Sequence, residues 1–201
     1  MPSDETREFW EQRYAEQDQM WSGRPNVVLV EEIDGLAPGA ALDLGCGEGA
    51  DAIWLAQQGW RVTATDISQL ALDRAAVHAA DAGVAQRITW ERHDLTRSFP
   101  AGTFDLVSAQ FLHSPVDDPR ESALPQAADA VAPGGTLLIV SHESMPWRPE
   151  MVLPTPSEVL ESARIDPATW VVERVASRPR RAKRDGTEFD VDDSVVRLRR
   201  T

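Results

Sequence analysis

The sequence predicts an α/β protein: a seven-stranded, mostly parallel sheet with helices on both faces and a C-terminal antiparallel hairpin. Three observations carry that prediction. Short apolar runs alternate with helical stretches across residues 40–140, the pattern of strand–helix–strand units. The first run, Ala40–Leu44, ends in the glycine cluster Gly45-Cys46-Gly47-Glu48-Gly49. The last two runs, residues 170–176 and 191–198, follow each other with no helix between them, so they must pair antiparallel.

Each element has its own local reason. Residues 6–19 read as a helix with a short apolar stripe of Phe9, Trp10 and Tyr14. The segment Trp21-Ser22-Gly23-Arg24-Pro25-Asn26 breaks it. Asn26 caps a second helix over 27–33, stopped by Asp34-Gly35. Strand 40–44 leads through the glycines to a helix over 51–58, closed by Gly59. Strand 60–65 ends at Asp66, and Ser68 caps a helix running to about residue 82. Strand 88–92 ends near Asp94; strand 104–109 ends before His113. A helix over 118–131 is stopped by Pro133-Gly134-Gly135, and strand 136–140 follows. Residues 143–157 hold Pro146, Pro149, Pro154 and Pro156 and read as an irregular loop, followed by a helix over 158–164. A polar loop containing Asp185-Gly186 joins the final two strands.

Composition bounds the function. The 201 residues suit one domain, with 1–25 as an N-terminal lid segment and 26–201 as the core. Hydrophobic content is 42% and mean hydropathy −0.35, so a packed core is expected. There is no apolar run of the roughly 18–20 residues that a membrane span needs and no signal-peptide core near the start, so a cytoplasmic location is expected. A single cysteine, Cys46, excludes an internal disulfide framework and a cysteine-based zinc site; no metal site is expected. Net charge is −13, which argues against a nucleic-acid partner because phosphates need a basic face. The charge is uneven: residues 174–201 hold 9 basic and 5 acidic side chains. That basic end reads as a solvated hairpin, or as an anion site.

A strand, a Gly-x-Gly-x-Gly turn and a helix bring backbone close to a ligand at a helix N-terminus. Gly45-x-Gly47-x-x-Ala50 also fits a loose dinucleotide fingerprint, so a nicotinamide-dependent oxidoreductase is one alternative. The neighbouring charges discriminate. A pyrophosphate wants a bare helix N-terminus, and Asp43, Glu48 and Asp51 crowd this one. A cationic ligand is favoured instead. Asp66, ending the second strand, can accept from two ribose hydroxyls, and Asp94, after the third, from an adenine amino group.

Asp43-Leu44-Gly45-Cys46-Gly47-Glu48-Gly49, with Asp66, Asp94 and Phe104-Asp105-Leu106-Val107, resembles the class I S-adenosylmethionine-dependent methyltransferases. The length and the Trp21–Asn26 segment are similar to small bacterial enzymes of the tellurite-resistance and thiopurine methyltransferase type. The resemblance implies a Rossmann-like sheet, S-adenosylmethionine as cofactor and S-adenosylhomocysteine as product. It implies that Asp43, Gly45 and Gly47 line the methionine end and that Cys46 packs beside the loop. Asp66 would hold the ribose with Ile67 against the adenine, and Asp94 and Leu95 would frame the base. Gln110 would meet the methionine part through its backbone. Independently of the resemblance, the N-terminal segment reads as a lid: Trp10, Tyr14 and Trp21 can cover an adenosyl group or an apolar acceptor, Trp10 can instead pack against the sheet edge, and Trp21 and Gly23, which sit in a loop, are the favoured cofactor contacts.

Methyl transfer from a sulfonium needs alignment above all, and a base only where the acceptor must lose a proton. His113 and His142 follow the fourth and fifth strands and are the candidate catalytic residues. His78 and His93 read as structural. Arg24 and Trp147 can face the acceptor. Methyltransferases of this class that act on nucleic-acid bases carry an Asn/Asp-Pro-Pro-aromatic motif after the fourth strand, where this chain reads Gln110-Phe111-Leu112-His113. With the acidic charge, this favours a small-molecule acceptor methylated at S, O or N. A non-catalytic module that binds the same cofactor is the remaining alternative.

Overall fold

The computed structural model describes residues 2–116, 118–184 and 186–201. Helices α1 (Pro2–Ala15) and α2 (Val27–Glu32) precede β1 (Ala40–Leu44). Then come α3 (Ala50–Gln57), β2 (Arg61–Asp66), α4 (Gln69–Asp81) and β3 (Ile88–Arg92). The chain continues through β4 (Phe104–Gln110), α5 (Arg120–Asp129), β5 (Val131–His142) and α6 (Pro156–Ser162). It closes with β6 (Trp170–Arg184) and β7 (Thr187–Arg200). All seven strands form one sheet in the order β3-β2-β1-β4-β5-β7-β6. The first five are parallel; β7 pairs antiparallel with both β5 and β6. The strand order reverses between β1 and β4, where open α/β sheets bind ligands at the carboxyl ends of their strands.

Alternation along the strands sends side chains to two cores. Leu42, Leu44, Val107, Leu137, Ile139 and Leu198 pack on one face against Ala123, Leu124 and Ala127 of α5 and Val159 of α6. Ala41, Val62, Leu106, Leu138, Val140 and Val195 pack on the other against Leu29 of α2 and Ala52 and Leu55 of α3. Caps set the helix starts. The Asn26 side chain accepts from Val28 N–H, Ser68 from Ala71 N–H, and Thr155 with Glu158 forms a capping box. No helix lies between β3 and β4. The exposed face of β2 and β3 is accordingly polar, with Arg61, Thr63, Arg87 and Thr89 lining an open groove of about 500 Å³.

The structure corrects three sequence boundaries. The first helix stops at Ala15, not at residue 19. Residues 131–135, read as helix end and breaker, belong to β5: Phe104 pairs with Val131 and Leu106 with Thr136, so the intervening residues bulge out of register. The hairpin strands are far longer than 170–176 and 191–198, running to Arg184 and from Thr187. The expected polar loop is therefore a tight turn at Gly186, φ +81°; Asp185 lies outside the described residues. The basic side chains of this hairpin are largely engaged. Arg174 pairs with Glu32 at 2.6 Å, Arg178 with Glu31 at 2.7 Å, and Arg199 with Glu173 at 3.0 Å. A free anion-binding patch is not what the fold builds from them.

Glu32 fastens α2 to the hairpin through Arg174. Its carboxylate is 9% exposed but Arg174 is 53% exposed, so solvent screens the pair. Glu32→Ala is expected to cost about 1 kcal/mol in urea unfolding, with the midpoint lowered and the slope unchanged.

Candidate functional site

The glycine loop hangs from the neighbouring strand. Gly45 N–H and Cys46 N–H both donate to the Thr65 carbonyl, at 2.8 and 2.9 Å. Gly45 and Gly47 have φ of +72° and +53°, which side chains rarely adopt. A Cβ on Gly45 would meet Leu112 Cδ1 at 2.8 Å; one on Gly47 would meet Trp21 Nε1 and the Tyr14 hydroxyl, each at 3.0 Å. Cys46 points its Sγ at the Gly47 carbonyl, 3.8 Å away, and burial pushes its thiol up. It packs; it is no nucleophile.

Three carboxylates converge on this loop. Asp43 is buried and accepts from the Ala52 N–H in the first turn of α3, so the strand caps the helix that follows it. Its Oδ2 is buried with no hydrogen-bond partner among the described residues. Burial, then the neighbouring Asp51 and Asp66, push its carboxyl well up. Asp51 accepts from Asn26 N–H at 2.6 Å, and burial raises it to about 6. Asp66 accepts from Gly47 N–H at 2.9 Å on one oxygen and from Ser68 N–H at 3.0 Å on the other. Burial raises its carboxyl against those backbone donors. Each of its oxygens keeps a second lone pair for a ligand hydroxyl. At the end of β4, Gln110 Nε2 donates to Ser108 Oγ at 3.0 Å, while its Oε1 is buried without a partner among the described residues. The pairing of Asp43 with Ser108 across β1 and β4 puts both orphan acceptors at the switch point. Two buried acceptors lacking donors suit a ligand ammonium group, and three carboxylates suit its positive charge.

Other expected residues take different parts. Glu48 does not add free negative charge. Its carboxylate is tied to Arg74 at 3.1 Å and to the backbone N–H groups of Met20 and Trp21, both at 3.0 Å. Asp94 forms a turn: one oxygen accepts from Thr96 N–H at 3.0 Å and from its hydroxyl at 2.7 Å. The Leu95 side chain is built into the α5 core, so only its backbone can face a base. Ile67 sits half-buried between Asp66 and Ser68. Trp21 is 50% exposed and its Nε1 donates to the Tyr14 hydroxyl at 3.1 Å. Gly23 is left-handed at φ +68°. Burial and Asp66 push the Tyr14 hydroxyl up, so it stays a donor. His78 Nδ1 lies 3.2 Å from the Glu48 carbonyl, and His93 bridges Ser98 and Glu91.

The two histidines meet at the ends of β4 and β5, their rings stacked with centroids 5.4 Å apart. His113 Nε2 accepts from His142 N–H at 3.2 Å. Burial, then His142 and Arg120, lower His113 to about 4, so it is neutral and committed as an acceptor. His142 differs. Its Nδ1 lies 3.1 Å from Asp193 Oδ1, and Asp193 is fully buried. Asp193 is held below the usual carboxylate range by the His142 and Arg180 hydrogen bonds, which outweigh its burial. Arg180 grips both carboxylate oxygens of Asp193. The imidazole is thereby oriented with Nδ1–H toward Asp193, and Nε2 has no hydrogen bond among the described residues. Phe111, left-handed at φ +54°, lays its ring 4.4 Å from that of His142.

Asp193, Arg180 and Phe111 are the members that sequence reasoning missed. Asp193 and Arg180 lie 51 and 38 positions from His142, and only the β5–β7–β6 register joins them. The Phe111 strain leaves no local signal.

Comparisons with known proteins bear on the family and the fold. A family model described as a methyltransferase domain matches residues 41–135. The chain is 26% identical over 170 residues to the 2-heptyl-1-hydroxyquinolin-4(1H)-one methyltransferase of Mycobacteroides abscessus, spanning 83% of this chain and 74% of that one. The fold matches NodS, an N-methyltransferase from Bradyrhizobium japonicum solved with S-adenosylhomocysteine, at TM-score 0.69 and 20% identity, covering 97% and 98% of the two chains. It also matches TehB from Haemophilus influenzae at TM-score 0.71 and 16% identity, covering 95% and 67%. With the glycine loop and the acidic strand ends, these matches show that residues 41–135 are a methyltransferase domain, in a fold shared with S-adenosylmethionine-dependent methyltransferases.

Proposed function

We propose that the enzyme methylates a small, aromatic, hydroxyl-bearing molecule, and that His142 takes the acceptor's proton. The observation that carries this reading is the His142–Asp193 pair, with Nε2 unpartnered beside the Phe111 ring. The name of the quinolone relative, whose acceptor is a planar hydroxyl-bearing heterocycle, supports it. The net charge of −13 favours a small acceptor over nucleic acid. A cytoplasmic enzyme is the matching setting; no helix among the described residues can cross a membrane.

When bound, the cofactor supplies a methyl group already activated by its sulfonium. Asp43 Oδ2 and Gln110 Oε1 would receive its ammonium, Asp66 its ribose, and the Asp94–Leu95 turn its base. Gly45 and Gly47 admit it close to the backbone. The protein's remaining tasks are alignment and one proton. Asp193 fixes the His142 tautomer so that the Nε2 lone pair is the free one. An acceptor O–H within about 3 Å of Nε2 loses its proton there. The imidazolium so formed faces the Asp193 carboxylate, and its 23% exposure gives the proton a way out to water. His113, neutral and stacked, holds the His142 backbone in place.

Three outcomes are expected. His142→Ala lowers kcat by about 10²–10⁴-fold for a phenolic acceptor. The defect shrinks as acceptors grow more acidic, and a defect independent of acceptor acidity would remove the base role. Asp193→Asn lowers kcat in the same direction, with cofactor affinity unchanged in a titration, because Asn cannot stabilise the imidazolium. Cofactor affinity, measured calorimetrically, rises from pH 5 to pH 7.5. Asp51 sheds its proton near 6 and Asp43 is raised, and a cation binds only their ionised forms well. The slope reaches at most about tenfold per pH unit for each proton released. The sign follows for stability too: a raised folded-state value favours the ligand-free fold at low pH, and the contribution is lost as pH climbs through it.

A further inference from the structure

We propose that Glu48 is a positioning residue that latches the N-terminal segment over the cofactor and thereby governs how fast S-adenosylhomocysteine leaves. The inference rests on the cofactor alone and is independent of the acceptor reading.

Glu48 sits inside the glycine loop, yet its carboxylate is used up by other parts of the chain. It is 5% exposed. Oε2 accepts from Met20 N–H and Trp21 N–H, both at 3.0 Å. Oε1 accepts from Arg74 Nη1 at 3.1 Å and, longer, from Met20 N–H at 3.3 Å. Its backbone carbonyl is met by His78 Nδ1 at 3.2 Å. Arg74 and His78 both belong to α4, so Glu48 is anchored to the core on one side and grips the segment on the other. A carboxylate with that many partners is fully matched.

The segment it grips has little else to hold it. Among the described residues 18–25, the other hydrogen bond to the rest of the chain runs from Trp21 Nε1 to the Tyr14 hydroxyl. Residues 18–25 carry no helix or strand. On either side the chain is pinned firmly. Glu11 of α1 accepts from Gln69 N–H at 2.6 Å and from the Ser68 hydroxyl at 3.0 Å, and Asn26 N–H donates to Asp51 at 2.6 Å. The segment is thus a short strap between two fixed ends, with one charged contact at its middle.

That contact lies beside the glycine turn that would hold the ligand. Trp21 Nε1 and the Tyr14 hydroxyl stand 3.0 Å from where a Cβ on Gly47 would be, and Gly47 N–H donates to Asp66. Adjacent residues, Gly47 and Glu48, therefore serve the ribose carboxylate and the strap. A ligand held under the strap leaves when the Glu48 contact opens. Lid opening of this kind limits turnover in many enzymes.

The test is the release of S-adenosylhomocysteine, displaced by excess S-adenosylmethionine in a stopped-flow experiment read by tryptophan fluorescence. Glu48→Ala is expected to raise the release rate by roughly tenfold or more and to raise KM for the cofactor more than it alters kcat. Glu48→Gln, which keeps one acceptor oxygen, is expected to fall between it and the parent. Met20→Pro removes one donor from the strap without touching the loop, and is expected to speed release by a smaller factor in the same direction. It also covers the case in which Glu48→Ala fails to fold. Unchanged release in Met20→Pro would overturn the proposal. So would a Glu48→Gln variant no better than Glu48→Ala, with both losing thermal stability and neither speeding release.

Discussion

One buried carboxylate organises the ligand-binding end of this molecule. Asp43 lies on a central strand, is 1% exposed, and holds the first turn of α3 with one part of its carboxyl while Oδ2 has no partner. Asp51 and Asp66 add like charge nearby. Desolvated carboxylates of one sign are costly together, so the ligand-free site is electrostatically incomplete. A ligand carrying an ammonium and a sulfonium supplies what is missing, and one carrying a pyrophosphate would make matters worse. The identity of the cofactor thus follows from an imbalance that the fold creates and does not itself resolve.

The half of the site proposed to hold the cofactor could be anticipated from the sequence because its signals are local. Each acidic residue ends a strand whose apolar run announces it, and the glycines stand where backbone must approach a ligand. Side-chain destination was less legible. Glu48 reads as a third negative charge for the ligand, but its carboxylate turns to Arg74 and the strap. Leu95 reads as an adenine contact, but it faces the α5 core. The acceptor half was least legible. His142 is recognisable as a histidine after a strand. Its partner Asp193 is not, since nothing near position 193 sets it apart from Asp190 or Asp192. Only the antiparallel register, His142 opposite Asp193, decides among the three.

The hairpin was misjudged for a related physical reason. Beyond residue 177 β6 is so rich in Arg and Lys that apolar alternation is absent from it, and in β7 only Phe189 and Val191 alternate with acidic residues, a run too short to mark the strand by itself. The strands persist because they exchange a full ladder of backbone bonds and match charge across it, Arg181 reaching both Glu188 and Asp190. An excess of basic residues at the end of the chain therefore reports a charge-matched ribbon, not a surface awaiting an anion.

That ribbon outruns the sheet. β5 ends at His142 opposite Asp193, and past that point, among the described residues, β6 and β7 have only each other as strand partners. The overhang is steadied by the 143–155 loop, through Glu143 and Ser144 N–H to the Asp192 carbonyl and through Trp147 against Phe189. The wall beside His142 is thus a module with its own supports, carried by strands other than the one that leads into the glycine loop. Under the proposed reading, changes of sequence at the tip of the ribbon, away from Arg180 and Asp193, would reshape the acceptor side while leaving the glycine loop intact. A scaffold divided in this way is open to diversification, by natural descent or in the laboratory, at the one end where variety has value.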